Sequence, residues 1–215
     1  MTTALASPRS LTVLLLGPLT VSFLVLLPVE RAIADEYAYT VEARGNIRSS
    51  LEEFDEVAES TFKAARGWSL NLNIVYRKVS SAADFRLILA APKEVAAVNP
   101  TCSHRWSCRV GNRVLINEQR WRIGTPTWPG PLAQYRVYVI NHEVGHWLGL
   151  DHDSCSGDGK DAPVMMQQSK GLKGCMARPW PSSSERNRVA RIHEVERWPR
   201  APARESPQDL LVLAR

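Results

Sequence analysis

Apolar and polar residues alternate from Tyr37 to Val41, the period of two that a strand imposes, and Leu51, Phe54, Val57, Ala58 and Phe62 then recur at helical spacing. Two further apolar runs, Leu70 to Val75 and Phe85 to Leu89, are short and end in Pro, Gly or polar breakers. They predict strands of a sheet covered on both faces. Farther on, the turn formers Gly111 and Asn112 separate the β-type runs Arg109-Val110 and Arg113 to Asn117, so a hairpin or edge strand is expected. Thr125 to Pro131 (TPTWPGP) breaks the pattern. From Leu132 the run LAQYRVYVINHEVGHWLG has helical length and stops at Gly149. Its β-branched residues Val137, Val139, Ile140 and Val144 mean that burial, not intrinsic propensity, must hold this helix. Residues 182–215 are rich in Ser, Arg, Pro and Glu and read as a basic, Pro-rich appendage. Within it Val189, Ile192 and Val195 line up behind a Ser184 cap, Pro199, Pro202 and Pro207 interrupt any regular structure beyond them, and Leu210 to Leu213 close the chain. No internal repeat is present, and the order of elements is that of an α/β chain.

The first 34 residues stand apart from this pattern. Arg9 precedes an apolar stretch from Leu11 to Val29, interrupted by Gly17, Pro18 and Pro28, and Ala32-Ile33-Ala34 forms an A-x-A site. This predicts a signal peptide cut after Ala34, with an uncleaved N-terminal membrane anchor as the alternative; both place the remainder outside the cytoplasm. At 215 residues the chain has room for one buried core. A net charge of +5 favours acidic surfaces, but Lys and Arg are scattered without a long run, so no nucleic-acid partner is expected. Four cysteines suit an oxidising compartment. Local pairing, Cys102 with Cys108 and Cys155 with Cys175, is the simplest of the three connectivities. A four-thiolate zinc site is disfavoured because no C-x2-C pair occurs.

The chemistry gathers in His142-Glu143-Val144-Gly145-His146. Two imidazoles four residues apart project from one helix face a turn apart, as a bidentate grip on zinc needs. Glu143 lies beside them, able to reach a metal-bound water as general base without being a ligand. The run continues through Gly149 to His152. A glycine there can take positive φ, end the helix and bring His152 back as third ligand. Three protein ligands leave a fourth position open, the mark of a catalytic zinc ion. From residue frequencies, three His, one Glu and one Gly in this register should arise by chance on the order of once in 10⁵ chains of this length. Three unrelated core histidines are therefore a poor account of it.

The string HEVGHWLGLDH followed by Pro163-Val164-Met165-Met166 resembles the metzincin clan of zinc metallopeptidases, defined by H-E-x-x-H-x-x-G-x-x-H and a Met-containing turn. The wider stretch from Cys102 to Trp180, with VLINEQRW, APVMMQQ and KGC, is similar to an uncharacterised family of secreted actinobacterial proteins that carry this signature. The resemblance implies a single metzincin-like α/β (α+β) domain over residues 35–181: a twisted mixed sheet with packed helices, a zinc-binding helix, and an irregular disulfide-stapled C-terminal part. It implies one Zn2+ on His142, His146 and His152, with Met165, or failing that Met166, as an apolar floor. It also implies that Arg113 to Asn117 is the upper edge strand, on which an extended peptide could add as a further strand. Gln167 and Gln168 follow the methionines where some relatives carry a metal-approaching tyrosine, so no tyrosine switch is expected. With all cysteines paired, latency through a propeptide cysteine is not expected either.

The function expected is that of a secreted, monomeric zinc-dependent endopeptidase acting on a peptide or protein substrate through zinc-bound water and Glu143. The alternatives are a cell-envelope binding protein with a structural or vestigial zinc site, and a zinc amidase acting on cell-wall peptides. Asp151, Asp153, Asp158 and Asp161 lack EF-hand spacing and read as solvated loop carboxylates. Tyr138 and the tryptophans at 68, 106, 121, 128, 147 and 180 read as packing residues, not as a glycan platform.

Overall fold

A computed structural model describes residues 35–195, so the expectations for the export segment and for the chain beyond Val195 lie outside the described residues. β1 (Asp35–Arg44) is followed by α1 (Leu51–Lys63), whose first turn is closed by the Ser50 side chain accepting from the Glu53 amide at 3.1 Å. α1 buries Phe54, Ala58 and Phe62, the stripe expected from the helical period. β2 (Ile74–Lys78) and β3 (Phe85–Ala90) come next, then the short α2 (Pro92–Ala96), the hairpin of β4 (Cys108–Val110) and β5 (Arg113–Asn117), and α3 (Glu118–Ile123). The long α4 (Leu132–Trp147) leads through an irregular stretch with a 3₁₀ turn at Gln168–Lys170 to α5 (Ser183–Ile192).

The strands form one mixed sheet in the order β2-β1-β3-β5-β4, parallel except for β4, which runs antiparallel to β5. One face carries the main core, where Tyr39, Phe85, Leu87, Val114 and Ile116 meet Phe54, Phe62, Tyr138 and Val144 of α1 and α4. The other face is thinly covered by α2 and the Cys102 loop over Ile88, Ala90 and Leu115. Burial on both faces explains why β3 reads as an apolar run broken only by the exposed Arg86. The lower part has no regular sheet. Isolated bridges (Asp153 to Met166, Asp161 to Met176) and the Cys155–Cys175 disulfide hold it around Ala162, Met166 and Cys175, while Cys102–Cys108 closes the upper loop. The fold is thus a mixed α/β domain with a stapled irregular lower part.

Four expectations are corrected. The run from Leu70 to Val75 is not a strand throughout: Leu70, Asn71 and Leu72 have φ of 49°, 56° and 69°, and β2 starts only at Ile74. Hydrophobicity there signalled the complete burial of Leu70 in a left-handed turn, which the Asn73 side chain braces by donating to the Leu70 carbonyl at 2.7 Å. Arg113 to Asn117 is not the edge strand; it is sandwiched between β3 and β4, so the edge falls to Cys108–Val110. The cap of α5 is Ser182, not Ser184, in a capping box with Glu185. Finally, residues 182–195 are not an appendage, since Val189 is fully buried in the main core and Val195 packs against it. α2 and α3 carried too few residues for a periodic signal. α3 is started by Asn117, whose side chain accepts from the Gln119 and Arg120 amides as β5 ends.

Candidate metal centre

α4 is buried along most of its length, Tyr135, Val137, Tyr138, Val139, Ile140 and Val144 all being inaccessible, which compensates for its β-branched content. Its end is set by a Schellman motif. The Gly149 amide, at φ 93°, donates to the His146 carbonyl (3.2 Å) and the Leu150 amide to the Gly145 carbonyl (3.0 Å). This reversal returns His152 to the helix, its Nε2 lying 3.2 Å from Nε2 of His146.

Candidate ligand atoms of His142, His146 and His152 lie within 4.8 Å of one another, the one such group of His, Cys, Asp or Glu among the described residues. Nδ1 of His142 donates to the Val164 carbonyl and Nδ1 of His146 to the Leu150 carbonyl, each at 2.8 Å. Donation from Nδ1 fixes the tautomer, leaving the Nε2 lone pair for a metal. Three nitrogens tetrahedrally placed about 2.1 Å from one ion stand roughly 3.4 Å apart, close to the His146–His152 separation. The donor set is three imidazoles, with His142 buried, His146 half-buried and His152 exposed, and it fits zinc. Burial pushes His142 down to about 3 and also lowers His146 and His152, so all three are neutral at pH 7, as ligands must be.

Glu143 is 6% exposed and makes no hydrogen bond among the described residues. Burial raises its carboxyl to about 8, against the opposing pull of Arg109 and Lys170. A dication beside it would draw that value back down, toward the range where a carboxylate exchanges protons near neutrality.

Beneath the histidines, Met165 is fully buried and presses on Gly145: a Cβ at residue 145 would lie 2.4 Å from the Met165 sulfur and 3.0 Å from Cζ2 of Trp68. The turn is pinned from two sides. The Met165 amide donates to Oε1 of Glu185 at 2.8 Å, and its carbonyl accepts from the Asp153 amide at 3.1 Å. Met166 points instead into the disulfide cluster below. Glu185 escaped the sequence reading; Ser182-x-x-Glu185 betrays a capping box, but nothing local says that its other oxygen holds the methionine turn.

The triad opens into a cleft of about 270 Å³ walled by the Cys102–Cys108 loop, Arg109, Tyr138 and the segment Gln167 to Lys170. Asn117 ties that loop to the core, donating from Nδ2 to the His104 carbonyl at 2.9 Å. Tyr138 is core and wall together: its ring lies 5.5 Å from that of His142 and its hydroxyl donates to the Met166 carbonyl at 3.0 Å. Trp68 and Trp121 are fully buried, Trp128 and Trp180 nearly so. Asp153 and Asp161 pair with Arg188 and Arg178, each at 2.8 Å, and do not converge on a cation site.

Residues 25–185 match the model of a family described as "Protein of unknown function (DUF3152)". No curated protein matches. Among solved structures the chain is similar to archaemetzincin from Methanopyrus kandleri, with 13% sequence identity, 77% of this chain and 99% of that one covered, and a TM-score of 0.48.

Proposed function

The chain belongs to the family of unknown function DUF3152, and we propose that it is an exported zinc-dependent endopeptidase with His142, His146 and His152 as ligands and Glu143 as general base. The observation that carries this reading is a buried carboxylate, free of hydrogen bonds within the described residues, beside three convergent neutral imidazoles at the base of an open cleft. Zinc at this position supplies Lewis acidity, lowering the pKa of water and polarising a carbonyl.

Glu143 takes the proton of the attacking water and passes it to the leaving amine, as its freedom from other partners allows. The carbonyls of Val164 and Leu150 hold the imidazoles of His142 and His146 in one orientation throughout. The free edge of β4 offers backbone groups to an extended peptide running along the cleft. A structural zinc site has no use for a carboxylate whose burial is costly, which counts against a binding protein with a vestigial ion. Export is supported by the two disulfides, and we place the cleavage of the leader after Ala34. Among the described residues no helix is long and apolar enough to cross a membrane.

The test is degradation of an unfolded reporter protein by the purified chain. Cleavage should stop on chelation and return with one equivalent of zinc. A zinc-loaded chain that cuts neither this substrate nor a peptide pool sinks the peptidase reading; cutting confined to cell-wall peptides moves it to an amidase.

A further inference from the structure

The cleft is electrostatically one-sided. Among the described residues Glu143 is the only carboxylate in its lining, while Arg109, on β4, and Lys170, beyond the methionines, line it as well. Arg109 is placed by strand alternation. Cys108 and Val110 turn to the cluster under α2, so the residue between them faces the other side of the sheet, on the face where its cross-strand partner Val114 packs against α4. It therefore stands over the histidines from the exposed edge of the sheet.

Lys170 comes from below, at the end of the 3₁₀ turn beyond the methionines. That turn is rigidly based. Gln168 is fully buried and donates to the Pro163 and Arg178 carbonyls at 3.0 and 2.9 Å, and Thr127 donates to the Ser169 carbonyl at 2.9 Å. The Lys170 ammonium lies 5.9 Å from the ring of Trp106 on the disulfide loop.

Neither cation has an acidic partner among the described residues. Elsewhere Arg77, Lys78, Arg86, Arg136, Arg178 and Arg188 each pair with a carboxylate. Exposed cations without a partner are ordinary when scattered over a surface. Two in the lining of one cleft, one from the sheet edge and one from the lower turn, with the only carboxylate among the described lining residues committed to proton transfer, form a receptor of one sign.

Resting on the peptidase reading above, we propose that this cleft selects substrates by a carboxylate close to the scissile bond, held between Arg109 and Lys170, so that the preferred substrates are acidic peptides. The carboxylate can come from an Asp or Glu side chain or from a free C-terminus. The recognition chemistry is the same, but the second source would direct cleavage to chain ends.

The test uses calorimetric binding to the zinc-loaded full chain carrying Glu143→Ala, alongside cleavage by the wild-type chain. The probes are acetylated, amidated alanine pentapeptides with a central Glu, Gln or Lys, and the Gln peptide with its C-terminus left free. Glu should bind more tightly than Gln, and Lys least. Arg109→Glu and Lys170→Glu should each cut the advantage of Glu over Gln by roughly tenfold at low salt, with the effect shrinking as salt screens it. Both positions are exposed, so the variants should keep fold and zinc. An advantage appearing with the free C-terminus instead supports the same two cations and assigns the terminal carboxylate. Tight, charge-dependent binding without cleavage by the wild-type chain overturns the peptidase reading and leaves this recognition standing. Equal affinity for Glu, Gln and Lys, no binding of any peptide, or a preference that survives both reversals overturns the proposal itself.

Discussion

Replacing Gly145 by alanine sets two calculable effects against each other. Residue 145 lies inside α4, where alanine is better than glycine by about 1 kcal/mol. Against this, the new methyl would start 2.4 Å from the Met165 sulfur and 3.0 Å from the Trp68 ring. Met165 is fully buried, and Trp68 is held by donation from its indole nitrogen to the Asn141 carbonyl at 2.9 Å, so neither neighbour can withdraw freely. Overpacking of this kind costs about 1–3 kcal/mol, and with both sides blocked the upper part of that range applies. The net expectation is a loss of about 1–2 kcal/mol, or a fall in Tm of roughly 2–8 °C for a chain of this size. Because Val164, next to the displaced methionine, accepts from His142, zinc affinity should fall as well. Thermal unfolding of the metal-free protein and competitive zinc titration measure the two effects. The double variant with Met165→Ala should cost less than the sum of the single ones, because the methyl then enters the space the methionine vacates. Gly145→Ala at or above wild-type stability, with costs that simply add, would refute the packing argument.

Gly149→Ala must hold a φ of 93°, so a loss of about 1–2 kcal/mol is expected, together with weaker zinc binding through a misplaced His152; unfolding and zinc titration check both. Glu185→Gln turns an amide NH₂ toward one of the donors at the amides of Met165 and Ser182, and should cost about 2 kcal/mol in urea unfolding while loosening the methionine turn. Stability of the metal-free protein should peak near pH 6.5. Below that, the unfolded chain binds protons that the lowered histidines refuse, so stability is lost toward pH 3, and these three outweigh the opposite contribution of Glu143. Above it, the raised Glu143 gives up through about 8 a proton the folded state had retained, so stability falls again. Glu143→Gln should abolish the fall between pH 6.5 and 8, and denaturation at a series of pH values reads the result.

The features legible in the sequence are those that short-range geometry dictates. The helical period puts His142 and His146 on one face, and only a glycine suits the reversal at residue 149. The local disulfides and the covered strand β3 follow from equally local cues. The remainder depends on contacts between distant segments. Nothing near Leu70 distinguishes a buried left-handed turn from a strand, because both bury leucine. Which strand forms the edge is decided by the order β3-β5-β4, not by the composition of β5. Residues 182–192 look polar because only a narrow stripe is buried, yet the stripe fills the core and its Glu185 carries the turn beneath the histidines. Arg109 and Lys170, sixty-one residues apart, line one cleft only in the folded chain.

In the function proposed, Glu143 works as the base beside a zinc ion held by His142, His146 and His152, so removing its carboxylate should separate chemistry from metal binding. Mass-spectrometric profiling of a peptide library with the wild-type chain and with Glu143→Ala, at equal and stoichiometric zinc, reads the two separately. Cuts made only by the wild type, with zinc content and fold unchanged in the variant, are the result predicted. Cleavage at full rate by the variant, or a variant that is inactive only because it has lost its zinc, would rule out Glu143 as the base.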